Sequence, residues 1–397
     1  MSPYALLCTS GLVAIFSSTM AKSPVLPLYA SYLGVGPLGI GIVASVSPVA
    51  GITCSVLAGV FADRYGNKRM LTVAAFVFFT APLLYLLAAN VMLLSLVRFY
   101  HGLATAIMVP VSMAVISGIY AERKGEALGM FSSATLAGRF FAPIVGGAIL
   151  GYLATNPHAG FNAVYLVCSA AGLITLLLMS RLPKDNIRRV KTKRTDVLKM
   201  LSELTTHRGI LLTGGVEAAV LFAYGTFETF LPLYLINKGM NAYEIGAVLS
   251  AQIISVALTK PVMGKLSDKY GRSSQIAAGI LLCAVFMSLI IYAKGIIVSM
   301  IVSIAFGLSM SVVTSATSAL IGDLSRKEQL SSSMGVFASI MDIGHTTGPL
   351  ASGIIAACFG IGKVFLFSSA LLLIVFSIFT ASCRSAKMGF TVTKDAG

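Results

Sequence analysis

The sequence predicts an all-α integral membrane protein, with twelve transmembrane helices in two parallel-repeat bundles of six. Three observations predict it. Of 397 residues, 57% are hydrophobic and only 11% charged, where a soluble domain carries about a quarter charged residues. The apolar runs are long and continuous, and a crossing of the hydrocarbon takes about 20 residues. Elements of the first half also return in the second at a shift of 205 or 206 residues, as from Gly59 to Gly264 and from Gly138 to Gly344. Only helices and closed barrels satisfy the backbone in lipid, and these runs lack the alternation of a barrel strand.

The helices are expected near 4–32, 37–61, 69–89, 91–118, 126–153 and 161–181, and then near 209–236, 242–267, 273–293, 296–321, 328–358 and 361–383. They are numbered helix 1 to helix 12. The first six form an N-terminal half, residues 1–181, and the last six a C-terminal half, residues 209–383. Residues 182–208 are a basic linker, with Arg188, Arg189, Lys191, Lys193 and Arg194 clustered in it, and 384–397 a tail. No basic region precedes the first apolar run and further spans follow at once, so helix 1 is read as a retained span. The six Cys all fall in apolar segments with no CxxC pair. They read as small buried residues, with no metal site or disulfide framework.

The +15 net charge is explained by its placement. Loops on one side, with the tail, hold 22 Lys and Arg, whereas the opposite loops hold only Lys238, Lys294 and Lys363. Basic loops stay inside, so both termini and the linker are expected in the cytoplasm, with the chain in the cell's inner membrane. The basic face suits anionic lipid, and nucleic acid is not needed as a partner.

The clearest repeat is a charged, glycine-bounded turn. Gly59-Val-Phe-Ala-Asp63-Arg64-Tyr-Gly66-Asn-Lys68-Arg69 follows helix 2, and Gly264-Lys-Leu-Ser-Asp268-Lys269-Tyr-Gly271-Arg272 follows helix 8. Pro27-Leu28-Tyr29 returns as Pro232-Leu233-Tyr234. Gly129, Gly138 and Pro143-Ile-Val-Gly146-Gly147 in helix 5 correspond to Gly335, Gly344 and Gly348-Pro349-Leu-Ala-Ser-Gly353 in helix 11. Parallel repeats of six helices are a transporter construction with the substrate site at their interface. Small residues also serve simple helix packing.

These residues resemble the major facilitator superfamily, and most of all its drug:proton antiporter branch. The resemblance covers the chain outside the linker and tail. Gly59, Asp63, Arg64, Gly66, Lys68 and Arg69 match the family's loop motif, and Gly264, Asp268, Gly271 and Arg272 its second copy. Leu94, Arg98 and Gly102 match a helix 4 motif whose arginine the family associates with proton coupling. Gly129, Gly138, Pro143, Gly146 and Gly147 match the antiporter motif, except that Ala142 replaces a glycine; Gly344, Gly348 and Pro349 match its helix 11 counterpart. In helix 1, Pro24 and Pro27 match, but Ser17 and Ser18 replace the motif's start. The resemblance implies gating at the two hinges, where Asp63 is expected to meet the start of helix 11.

Ionisable groups inside spans are costly and are functional candidates by default. They are Lys22, Arg98, His101, Arg139, Glu217, Glu228, Lys260, Asp342 and His345. Depth along the helices matches Lys22 with Glu228 and Glu217 with Lys260; each pair reads either as glue between helices or as part of the cycle. His345 occupies the repeat position of Arg139. Ser309, Ser311, Thr314, Ser315, Thr317 and Ser318 of helix 10 read as a polar stripe along a cavity or as helix–helix hydrogen bonds.

No nucleophile–base constellation, zinc motif or phosphate loop stands at recognisable spacing, so the chain is not read as an enzyme and no cofactor is expected. The expected function is secondary active transport: proton-coupled export of small amphipathic molecules by a monomer, with the small molecule, protons and membrane lipid as partners. The alternative is a uniporter or importer of a small organic anion, which Lys22 favours because the resemblance implies that exporters of cationic drugs often carry an acid in helix 1. A transport-dead membrane sensor is the third reading.

Overall fold

The computed structural model describes residues 1–120, 123–183, 208–324 and 330–386. Among them every regular element is helical, and twelve long spans are present. Eleven are long and apolar enough to cross a membrane. Helix 11, Leu330–Phe359, is equally long but carries Asp342, His345, Thr346 and Thr347 at its middle.

Helix 1 is two helices, Pro3–Met20 and Val25–Tyr32. Pro24 has no N–H to offer and proline rings clash with the preceding turn, so the ladder stops and Lys22 sits in the break. Helices 2, 3, 4, 5 and 6 run over Pro37–Tyr65, Asn67–Tyr85, Val91–Ile119, Lys124–Tyr152 and Pro157–Ser180. Helices 7 to 10 run over Arg208–Ile236, Ala242–Tyr270, Arg272–Leu289 and Gly295–Leu324, and helix 12 over Ile361–Ala386. Asparagine side chains start three helices on the side away from the basic loops. Asn90 and Asn156 accept from Leu93 and Ala159 backbone N–H, and Asn241 forms a capping box with Glu244. Such caps satisfy otherwise orphaned helix donors without needing charge.

The hinges are tighter than the sequence suggests. Helix 2 continues through the charged stretch to Tyr65, and the turn into helix 3 is made at Gly66, φ 96°. Gly271, φ 91°, does the same between helices 8 and 9. Glycine alone adopts such angles readily. Gly59 and Gly264, expected at bends, lie inside helices instead, because only one residue is needed to reverse the chain. The linker cluster and the tail beyond 386 lie outside the described residues.

Packing repeats as the sequence does. Helix 1 packs on helices 5 and 6, helix 2 on 4, and helix 3 on 4 and 6. The same contacts return between helix 7 and helices 11 and 12, 8 and 10, and 9 with 10 and 12. The two sets meet chiefly where helix 2 crosses helix 11 and helix 5 crosses helix 8. At the first crossing a Cβ on Gly41 would lie 2.4 Å from the Pro349 carbonyl oxygen. At the second, a Cβ on Gly246 would lie 2.2 Å from that of Pro143. Both crossings lie toward the side away from the basic loops, so the halves touch there backbone to backbone.

On the basic side Lys68 Nζ donates to the Ser180 carbonyl at 2.9 Å, placing a cation at the C-terminus of helix 6. Arg272 pairs with Asp268 at 3.0 Å and also with Asp323 at the end of helix 10. Both carboxylates are half or more exposed, and exposed pairs contribute little. Arg272→Ala is therefore expected to cost at most about 1 kcal/mol of stability, a shift of a few degrees in a thermal melt of detergent-solubilised protein.

Candidate functional site: a charged cavity between the halves

A cavity of about 450 Å³ lies between the two sets of helices. Six of the nine ionisable residues singled out in the spans line it: Lys22, Arg98, Arg139, Glu228, Asp342 and His345. It extends from the level of Lys22 and Glu228 toward Met113 and Ala338 on the basic side, and the two glycine crossings lie on the other.

Its most ordered feature is a triad from three helices. Lys22 Nζ stands 2.6 Å from Glu228 Oε2. His345 Nε2 is 3.4 Å from the same oxygen and 3.3 Å from Lys22 Nζ. The break in helix 1 supplies Lys22, helix 7 supplies Glu228, and helix 11 supplies His345, whose ring lies 5.6 Å from that of Tyr224. Glu228 is buried and Lys22 and His345 are about a fifth exposed, by side chain. A pair in such a place holds its helices by mutual compensation, and removing one partner leaves a buried charge alone. Since Lys22 lies in the first half and Glu228 in the second, this contact spans the interface.

Arg98 is 2% exposed and its Nη1 donates to the Tyr85 hydroxyl at 3.4 Å. Tyr85 stacks on Tyr165 with ring centres 4.7 Å apart. Among the described residues Arg98 Nε is buried without a partner, and so are both ring nitrogens of His101. His101 sits edge-on to Phe78 and Tyr85 rather than in the cavity. Arg139 is exposed into the cavity, and Asp342 Oδ2 approaches Gly51 of helix 2, where a Cβ would come to 3.3 Å.

The structure corrects the second depth-matched pair. Lys260 is exposed, whereas Glu217 is fully buried and its Oε2 accepts from Thr317 Oγ1 at 2.5 Å. Depth gives height along the membrane normal but not the direction a helix faces, and Lys260 lies exposed on helix 8 without an ion pair to Glu217 among the described residues. Of the two readings of the helix 10 hydroxyls, the cavity stripe is not what the structure has: none of the six lines the cavity. Ser309, Ser315 and Ser318 bond to carbonyls one turn back in helix 10 and Thr317 bonds also to Glu217 of helix 7, while the hydroxyls of Ser311 and Thr314 are buried without a partner among the described residues.

The backbone of Asp63 lies in helix 2, but its side chain falls outside the described residues, as does the expected contact with the start of helix 11. Asp268 pairs within its own turn, with Arg272. Arg64 and Arg69 are exposed. The glycines of helix 5 divide by neighbour. Gly138 abuts helix 1 at Leu12, Gly147 abuts helix 8 at Ala242, and Gly129 faces open space. In helix 11, Gly344 and Gly348 abut the helix 7 carbonyls of Ala218 and Phe222. The packing of both helices thus depends on absent side chains. Tyr85 was not a candidate from sequence, because an aromatic near a helix end has many ordinary roles. Gly41 and Gly246 were detectable, being one more pair at the 205 shift.

Two repeated helical bundles around a charged, membrane-buried cavity define a secondary transporter. The chain belongs to the Major Facilitator Superfamily, whose model matches residues 7–255 and 218–387. It is 25% identical over 360 residues to an MFS-type transporter of Methanocaldococcus jannaschii, covering 89% of this chain and 91% of that one. It is 25% identical to the multi-drug resistance efflux pump PmrA of Streptococcus pneumoniae, over 86% of each chain. It is 24% identical to the multidrug resistance protein MdtG of Salmonella paratyphi C, over 89% of this chain and 87% of that one. Among solved structures, a bacterial homologue of the human lysosomal transporter Spinster superposes with a TM-score of 0.82 at 14% identity, covering 96% of both chains. The nucleoside transporter NupG gives 0.79 at 13% identity, covering 97% of this chain and all of the other. These likenesses show the fold; the chain is a transporter and not an enzyme.

Proposed function

We propose that the chain exports small amphipathic molecules in exchange for protons, from the cytoplasmic membrane, by alternating access of the central cavity. The carrying observation is the Lys22–Glu228–His345 triad, an interface contact made of groups that can take up or release charge. The multidrug names of PmrA and MdtG support the export direction. Both termini and the 182–208 linker then face the cytoplasm, with residues 1–181 and 209–383 as the two rocking halves of a monomer, and the glycine crossings close the outer side. With Arg98 as the coupling residue, Arg98→Ala is expected to leave downhill substrate movement intact while abolishing the response to an imposed pH gradient in proteoliposomes. A variant that still follows that gradient overturns the role.

A second reading, a uniporter or importer of a small organic anion, is favoured by the cavity's cations. Lys22, Arg98 and Arg139 face two carboxylates, Glu228 and Asp342. Transport assayed with a cationic dye and with an organic anion, each with and without a pH gradient, separates the two readings.

A further inference from the structure

Glu217 belongs to no part of the central cavity. It lies on helix 7 three turns from Glu228, fully buried, with Oε2 accepting from Thr317 of helix 10 and Oε1 without any partner among the described residues. One turn along helix 10, on the neighbouring position of the same face, Thr314 is 7% exposed and its hydroxyl oxygen is also unpartnered. Two buried oxygens, one on helix 7 and one on helix 10, thus lack a partner among the described residues. Cys283 of helix 9, which is buried, and Lys260 of helix 8, which is exposed, lie close enough to interact electrostatically with Glu217. Neither makes an ion pair with Glu217 among the described residues.

An ionised carboxylate held away from water without a cation is among the costliest arrangements in a protein. Polar groups buried in native structures otherwise find partners. We propose that Glu217, Thr317 and Thr314 form a second cation site, inside the C-terminal half, that binds a small monovalent cation, a proton or sodium. A proton would be held as a carboxylic acid on Oε1. Sodium would use the carboxylate with the threonine oxygens, the hard oxygen donors such an ion prefers. The site has a mechanical route to the cavity. Helix 7 carries both Glu217 and Glu228, about 16 Å apart at 1.5 Å per residue, and Thr317 ties helix 7 to helix 10. Occupancy therefore alters how firmly the helix bearing Glu228 is held. The inference requires a transporter fold but neither export nor the triad's gating role.

The test measures thermal unfolding of the full chain in detergent, without substrate, for wild type, Glu217→Gln and Thr317→Val. Sodium chloride is compared with choline chloride at equal ionic strength, and pH 5.5 with pH 8. The expected result is that wild type is stabilised by several degrees by sodium or by the lower pH, and that Glu217→Gln loses at least half of that response. Thr317→Val should weaken it and supplies the readout if Glu217→Gln does not fold. A sodium response identifies sodium and a pH response the proton. A wild type indifferent to both, or variants that respond as wild type does, overturns the site. Because no substrate is present, that outcome leaves the reading of the central cavity untouched, and loss of transport in triad variants would not mimic it.

Discussion

Lys22→Ala and Glu228→Ala are each expected to reduce transport by tenfold or more, and the exchange Lys22→Glu with Glu228→Lys to recover part of it. The expectation follows from burial and spacing. The two charges lie 2.6 Å apart in a site where Glu228 is nearly sealed from water. Removing one partner of a buried pair costs about 3–5 kcal/mol, because the other is left uncompensated, and about 1.4 kcal/mol is already tenfold in an equilibrium. The lone charge would also favour whichever conformation lets water reach it, so each single variant should shift the protein toward one face. His345 softens the loss of Lys22 by remaining 3.4 Å from Glu228, so Glu228→Ala, which leaves Lys22 and His345 facing each other, should be the more damaging. A double-mutant cycle on initial transport rates measures the coupling. Coupling of zero, with all variants inserted equally, would show the pair to be a bystander.

Helices 1 and 7 are copies, and aligning their Pro-Leu-Tyr ends puts Lys22 and Glu228 one position apart; the structure places them in contact. Repeat alignment fixes both height and facing, since equivalent helices turn equivalent faces to the shared axis. Matching by height alone failed for Glu217 and Lys260, because nothing in that argument says which way helix 8 points. The helix count and class came from hydropathy, whose signal is strong when lipid forbids every other backbone. The break in helix 1 is not legible from Pro24 and Pro27, since prolines in membrane helices often only bend them. The Arg98–Tyr85 contact joins helices 4 and 3 through side chains thirteen residues apart in sequence, a distance at which helical periodicity carries no information. Charge makes the hinge look like a loop, yet its cost in backbone terms falls on Gly66 and Gly271.

Gly246→Ala is expected to leave a folded, membrane-inserted protein that no longer brings its halves together on the side away from the basic loops. The added Cβ would stand 2.2 Å from the Pro143 carbonyl oxygen, a separation no real Cβ tolerates, and the neighbour is backbone that cannot swing aside. Packed interfaces lack slack at this scale, so the crossing of helices 5 and 8 must widen. Because Gly41 and Gly353 form the repeat-related crossing on the same side, the strain opens one seam of two, and the halves pivot rather than separate. Transport should fall by about tenfold or more, the effect of a conformational bias of roughly 1.4 kcal/mol or above. Spin labels at Ala154→Cys and Asn241→Cys, which line one cleft beside this crossing, report the geometry in a background freed of the native cysteines. The expected result is a longer distance population in Gly246→Ala than in the parent. Gly129→Ala serves as the control, since a Cβ there meets nothing within 4 Å, and it should leave both distance and transport unchanged. An unaltered distance in Gly246→Ala, with transport intact, would mean that the crossing yields without consequence and that closure of this side does not depend on glycine.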